Sequence, residues 1–273
     1  SVEIGNGLIK IESGIFSGCT SLAYVEIGNH VSSIKETAFK NCTALSNIYI
    51  ADGYNVDVFI DKNAFKECPL KELYLGRNLD CGYNYQTSTY ESPFKNKKSL
   101  TNVIVGSDVS HIYYNSFENC SSLTSVNIPN SVTWIGRCAF YNCTSLASIE
   151  IPSSVASIGW SAFHGCSSLN SVHISDIVAW CNISFGDYDA NPLCCAHSLY
   201  INGELATNII IPNSIKNLND YTFYGCNTMS SITLPTKVTS IGISAFEGCS
   251  SLTSIEVPSN VASIGWNAFT GCS

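Results

Sequence analysis

Phenylalanine recurs along this chain at a nearly fixed spacing, as Phe16, Phe39, Phe65, Phe94, Phe117, Phe140, Phe163, Phe223, Phe246 and Phe269. Six of the nine gaps are 23 residues. Gaps of 26 and 29 carry small insertions around "DGYNVDVF" and "CGYNYQTSTYES", and the gap of 60 fits one ordinary and one extended unit. This period constrains the fold more than any composition can. A unit so short cannot close a core of its own and becomes stable only by stacking on its neighbours.

The columns around each phenylalanine define the unit. Three residues on comes cysteine, from Cys19 to Cys272, and only Lys97 breaks the column. The residue between, two past Phe, is Gly or Asn in every copy except Glu67. Those residue types tolerate positive φ, so "AFxGC" predicts a short helical turn ending in a left-handed residue. Next comes L-x-x-V-x-I, as in Leu123, Val126 and Ile128, whose alternation predicts a strand with one buried face. Pro129, Pro152, Pro212, Pro235 and Pro258 then stop it, since proline has no N–H for a ladder. A second apolar ladder, V-x-x-I-G, completes the unit. With one strand and one turn per unit, eleven or so coils stack into a rod or arc whose strands, about 4.8 Å apart, form one continuous parallel sheet.

Composition agrees with an ordered, weakly charged chain: 45% of residues are hydrophobic and only 12% charged. The net charge of −8, and no basic cluster larger than "KNKK" at Lys95–Lys98, argue against nucleic acid as a partner. No apolar run is long enough to span a membrane, and "SVEIGNGLIKIE" lacks the features of a signal peptide. Both ends fall inside repeats, so the chain is expected to be part of a longer protein.

The pattern "FxGCSSLTSIxIPxSVxSIGxxAF", clearest in residues 117–163 and 223–269, resembles the leucine-rich repeat of BspA-type surface proteins. The stretch "DIVAWCNISF…NPL…AHSLYINGELATNIIIP" resembles the longer coil found in such proteins. The resemblance implies an α/β, β-rich leucine-rich-repeat solenoid: a single domain over 1–273, with repeats at 1–174 and 209–273 and an elongated irregular coil at 175–208. It also implies a secreted, non-enzymatic module at the cell surface, engaged in adhesion to host or microbial proteins. The expected partners are proteins, host extracellular-matrix or surface proteins among them, or glycans. No binding residue carries over, because the family shares no ligand motif.

Several features imitate chemistry. His164 lies two residues from Cys166, but its column elsewhere holds Ser17, Lys40, Glu118, Tyr141 and Thr270, which marks a solvent-facing position, while Cys166 belongs to a column read as buried free thiols. The off-column Cys81, Cys138, Cys181, Cys194 and Cys195 are read as free thiols, with a disulfide or metal clip within Cys181, Cys194 and Cys195 as the alternative. "DYDAN" at Asp187–Asn191 starts like a calcium loop but fails at Pro192 and Ser198. "NGEL" at Asn202 predicts a tight hairpin between "SLYI" and "ATNIII". Trp160 and Trp266 share a column expected to pack against the adjacent turn. No nucleophile elbow, HExxH, phosphate loop or dinucleotide fingerprint occurs, so no enzyme activity, metal or cofactor is expected.

The position between the two inward strand residues points outward. It holds Glu3, Glu26, Tyr49, Tyr74, Ile104, Asn127, Glu150, His173, Thr233 and Glu256, and Tyr24 lies two residues before Glu26 on the same side. These residues from Tyr24 to Glu256 form the candidate ligand-contact face. Two readings of its aromatic half stand side by side: Tyr24, Tyr49, Tyr74 and Ile104 anchor a partner, or they stack across strands and stabilise the sheet. A structural alternative to adhesion is self-assembly of the solenoid into a surface layer.

Overall fold

The computed structural model describes residues 1–53, 57–84 and 89–273; the centres of the two small insertions, 54–56 and 85–88, lie outside them. The chain winds into a solenoid of about eleven coils. In an ordinary coil the inward positions are all buried: Val31, Ile34, Ala38, Phe39, Cys42, Leu45, Ile48 and Ile50 are each at most 2% exposed. The phenylalanine rings stack along the axis, 5.0 Å between the centroids of Phe16 and Phe39 and 5.4 Å between Phe246 and Phe269.

The turn at each phenylalanine is built as its residues require. All ten residues two past Phe have positive φ, from Asn142 at 56° to Gly271 at 77°, and Glu67 adopts 60° like the others. A second left-handed column, two residues before Phe, was not expected: Thr37, Asn115, Cys138, Ser161, Tyr221, Ser244 and Asn267 all have φ between 51° and 63°. Neighbouring coils impose it, because the N–H at this position donates across the stack, as from Cys138 to Trp160 O at 3.0 Å and from Ser244 to Trp266 O at 2.8 Å. The off-column Cys138 thus belongs to a column of its own.

Each phenylalanine carbonyl from Phe16 to Phe246 accepts two bonds, one from the backbone N–H three residues on and one from a side chain of the next coil, in most cases a thiol. Cys42 donates to Phe16 O at 3.1 Å, and the same contact joins Cys68 to Phe39, Cys120 to Phe94, Cys143 to Phe117, Cys166 to Phe140, Cys249 to Phe223 and Cys272 to Phe246. Lys97 fits the same scheme, for its ammonium donates to Phe65 O. Cys195 donates to Phe163 O at 3.5 Å, so the irregular coil has a column thiol after all. All fourteen cysteines are free.

An ordinary coil carries two strands rather than one. Val2–Ile4, Tyr24–Ile27, Asn47–Ile50, Glu72–Leu75, Asn102–Val105 and Ser125–Asn127 form a six-stranded parallel sheet in chain order. The V-x-x-I-G segments form shorter parallel pairings on a second side, such as Ser33–Ile34 with Lys10–Ile11 and Ser157–Ile158 with Trp134–Ile135. Pairings of two residues are too short to leave an alternation in sequence. Glycine ends these segments because the coils nearly touch: a Cβ on Gly159 would lie 2.5 Å from the Arg137 nitrogen.

The principal sheet is divided into three hydrogen-bonded stretches, which corrects the expected single sheet. The second holds Ser148–Glu150, Ser171–Ile174 and Leu199–Ile201, and the third Asn208–Ile210 and Ser231–Thr233. The first break falls between Ser125–Asn127 and Ser148–Glu150, and the second at the hairpin, whose return strand Glu204–Leu205 lies against Leu199–Ile201. The bonds that follow each strand also change along the chain. In the first coils the residue after the strand donates to the coil before, as Gly28 to Ile4 O, Ala51 to Ile27 O, Gly76 to Ile50 O and Gly106 to Leu75 O. From Pro129 onward that residue is usually proline and has no N–H to give.

The irregular coil fills the gap in the phenylalanine stack with two helices, α1 (Ile177–Cys181) and α2 (Leu193–Ala196). Asp176 caps α1, and Trp180 is buried and donates to Thr222 O at 2.9 Å. Asn191, fully buried, bonds Tyr221 O and Thr222 O. The hairpin forms at Asn202 and Gly203, both at positive φ, but its return strand is Glu204–Leu205, while Asn208–Ile210 pairs onward with Ser231–Thr233. Trp160 lies over Gly186 yet stays 63% exposed, and Trp266 is 85% exposed, so the expected packing of this column against the turn is not found at Trp266.

Arg77 is the one charged side chain among the buried residues described. Among the described residues its guanidinium has no carboxylate partner, and it donates instead to Ala51 O, Asn29 O, Val31 O and Gly28 O at 2.9–3.2 Å. Arg77→Met leaves these carbonyls without their donor in the interior and is expected to cost roughly 3 kcal/mol in urea unfolding; an unchanged midpoint would contradict this role. Burial pushes the thiols of Cys120 and Cys166 up to about 12. The folded state therefore holds protons that the unfolded chain releases from about pH 8.5 upward. Stability is expected to be level below that pH and to fall between about pH 9 and 12, read as a drop in melting temperature that shrinks in a Cys120→Ala/Cys166→Ala variant relative to its own value at pH 7.

Candidate binding face

The strand register sets the outward residues in rows. Glu3, Glu26, Tyr49, Tyr74, Ile104 and Asn127 are successive partners across the first stretch of sheet. Glu150, His173 and Tyr200 continue the row in the second stretch, and Ile210 pairs with Thr233 in the third. Glu256 holds the corresponding place in the last coil, within a segment, 252–258, that carries no strand. Tyr24 lies one row over on the same face, paired with Asn47. Tyr200 and Ile210 were missed in sequence because the long insertion hides their period; the alternation in "LYI" and "NII" is the signal that places them.

The aromatic half of the row is ordered by its own contacts. The rings of Tyr49 and Tyr74 stack at 4.4 Å with 12° between their planes, and His173 stacks on Tyr200 at 4.8 Å. The Tyr74 hydroxyl donates to both carboxylate oxygens of Asp52, at 2.9 and 2.8 Å, and Tyr24 donates to Glu26 at 3.2 Å. Gly106 makes room for this clamp, since a Cβ there would lie 2.3 Å from Asp52 Oδ1 and 2.9 Å from the Tyr74 hydroxyl. The stacking reading thus describes Tyr49 and Tyr74 in the free protein. Both rings remain half-buried, with Ile104 40% exposed beside them, so one flat, polar-tipped apolar patch faces outward.

A second aromatic group, not foreseen in sequence, lies on the V-x-x-I-G side. His111 stacks on Trp134 at 4.7 Å, Tyr114 on Tyr90 at 5.2 Å, and Tyr113 meets both tyrosines edge-on. Its residues come from adjacent coils, and their common side is set only by the register of His111 with Trp134.

The chemical-looking residues resolve into structural contacts. His164 is about half exposed, pairs with Asp189 at 2.9 Å and stacks on Tyr141. Asp187 accepts from the Ser161 backbone and hydroxyl. Asn119 and Asn142 donate along the stack to Asn96 and Asn119. Among the described residues no group of three or more His, Cys, Asp or Glu side chains could hold a metal ion, and no helix is long and apolar enough to cross a membrane.

Residues 1–86, 87–185 and 197–273 match the BspA-type leucine-rich repeat region, in six copies. The chain belongs to the BspA-type leucine-rich-repeat family. Solved structures similar to it include a leucine-rich repeat protein from Bacteroides ovatus (21% identity, TM-score 0.48, 99% of this chain and 85% of that one) and one from Eubacterium ventriosum (21%, 0.47, 99% and 82%). A leucine-rich cell surface protein from Faecalibacterium prausnitzii is also similar (23%, 0.43, 99% and 74%). No protein of curated function matches the chain. In this BspA-type repeat the outward strand row is a regular consequence of the coil.

Burial first, and then the bond to Asp52, hold the Tyr74 hydroxyl above the ordinary phenol range. An ultraviolet difference titration is expected to show a tyrosine ionising later than the exposed ones, and Asp52→Asn should bring that step toward pH 10. A titration unchanged by Asp52→Asn would remove Asp52 as a cause.

Proposed function

We propose that this BspA-type chain is a non-enzymatic recognition module, working outside the cell or at its surface, that binds protein partners through its strand face. The observation that carries the reading is the Tyr49–Tyr74–Ile104 patch: two stacked, half-buried tyrosines and an exposed isoleucine in register on adjacent strands. Such a patch offers contact area with little entropy left to lose, because stacking and the Asp52 clamp already hold the rings. Tyr24 and Glu26 on one side, and Asn127, Glu150 and His173 on the other, supply a polar margin, while Thr233 and Glu256 lie farther along the rod. The family supports the same reading, since repeat solenoids present extended faces for partners.

The test is a binding screen of the fragment against purified host matrix and cell-surface proteins, repeated with Tyr49→Ala/Tyr74→Ala. Binding by a partner found in the screen is expected to weaken at least tenfold, about 1.4 kcal/mol or more. The lost stacking should lower stability by no more than about 1 kcal/mol. Undiminished binding by the variant would exclude this face, and a much larger loss of stability with unchanged binding would leave the tyrosines a stacking role alone.

A further inference from the structure

The turn side of the solenoid opens between the coils of Phe65 and Phe94. The ring centroids there are 5.9 Å apart, and 6.3 Å between Phe94 and Phe117, against 5.0–5.7 Å at the other described steps. On either side of this place two backbone bonds close the turns: Phe39 N–H to Ala64 O and Asn41 N–H to Lys66 O below, Phe117 N–H to Ala139 O and Asn119 N–H to Tyr141 O above. Across the opening, neither Phe65 nor Glu67 donates its N–H to the following coil among the described residues. The upper coil of the opening carries the sequence "ESPF". Ser92 takes over the bonds of the turn, accepting from Phe94 N–H and donating to Ser116 O, and Pro93 stands where most units have alanine.

The resulting cleft, about 550 Å³, is lined by Lys62, Lys66, Lys95, Lys97 and Lys98, with Glu67 its single carboxylate. Five of the thirteen basic residues of a chain with net charge −8 therefore meet in one place. Lys62 and Lys95 are held by ion pairs with Glu91 and Glu118. Lys97 is drawn inward by Phe65 O, and Lys66 and Lys98 are exposed. Lys40 precedes Lys66 and Lys95 in the same column, so three lysines follow one another coil by coil.

We propose that this cleft is an anion-binding site for a sulfated polysaccharide, with one sulfate group seated between Lys66, Lys97 and Lys98 and the chain running along the Lys40–Lys66–Lys95 row. A linear polyanion matches a row of point charges, whereas a nucleic acid needs more phosphate contacts than these lysines supply and a ring on which to stack, which the cleft lining lacks. An anionic membrane would call for an extended apolar surface beside the charges, and the lining offers just Cys68 and Pro93. The cleft is on the turn side, apart from the strand face, so this site and the protein-binding face stand or fall separately.

Calorimetry with a heparin-derived octasaccharide at low and physiological salt tests it. One site per chain is expected, weakened by salt, and Lys66→Gln/Lys98→Gln should reduce affinity roughly tenfold. Glu67→Asn places a residue suited to its positive φ and removes the carboxylate, so it should tighten binding about threefold with the fold intact. Lys97→Cys restores the column thiol and takes away a cleft cation; it should fold with an unchanged melting temperature and bind more weakly. Lys216→Gln/Lys237→Gln, elsewhere on the rod, should change nothing. The site is overturned by equal affinity in all variants, by absence of octasaccharide binding, by equal binding of unsulfated hyaluronan, or by stronger binding to phosphatidylserine vesicles that the same variants abolish. Inorganic sulfate binding alone, without the octasaccharide, would reduce it to a free-anion site and reject the polysaccharide.

Discussion

The phenylalanine carbonyl is the contact on which the stack depends. Each one lies at the end of a tight turn, deep between coils, where an unmet acceptor is costly. Its own turn satisfies one lone pair through an N–H, and the next coil satisfies the other with a thiol. A thiol suits the place because it is small, apolar enough for the core and still a donor. The recurrence of cysteine thus reflects a donor requirement, and the exceptions obey it: Lys97 reaches the same carbonyl with an ammonium, and Cys195 does so from a helix of the irregular coil.

The sides of the coil differ in what the stack leaves free. On the turn side and along the V-x-x-I-G segments, adjacent coils approach so closely that backbone meets backbone, and glycine or left-handed residues are needed to permit it. On the strand face the side chains alternate in and out, and every second one is left to face outward. Variation collects there, since an outward residue carries little of the stacking energy. Residues after the strand modulate the face: glycine or alanine adds one more bond to the ladder beside the tyrosines, while proline withholds that bond and the strands it follows are shorter.

The two places assigned ligands arise in different ways. The tyrosine patch is an ordinary face with unusual occupants. The lysine cleft is a local failure of the repeat, where proline in "ESPF", Glu67 in place of Gly or Asn, and Lys97 in place of cysteine fall within adjoining coils. In the sequence these look like three separate departures from the pattern. In the fold they border one opening.

The period, the turn with its left-handed residue, the inward columns and the outward row from Tyr49 to His173 were all legible in the residues, because each follows from a local rule repeated many times. Glu67 shows how strong that rule is, adopting the left-handed conformation that its neighbours in the column reserve for Gly and Asn. What the residues left open lies between coils. The second left-handed column, the division of the sheet after Ser125–Asn127, the carbonyl cage of Arg77, the return strand Glu204–Leu205 and the meeting of His111 with Trp134 all depend on which backbone group of one coil faces which group of the next. Local sequence specifies the shape of a coil, but the hydrogen bonds and ring contacts that join coils connect residues 22 or more positions apart, and only stacking in register decides which of them are made.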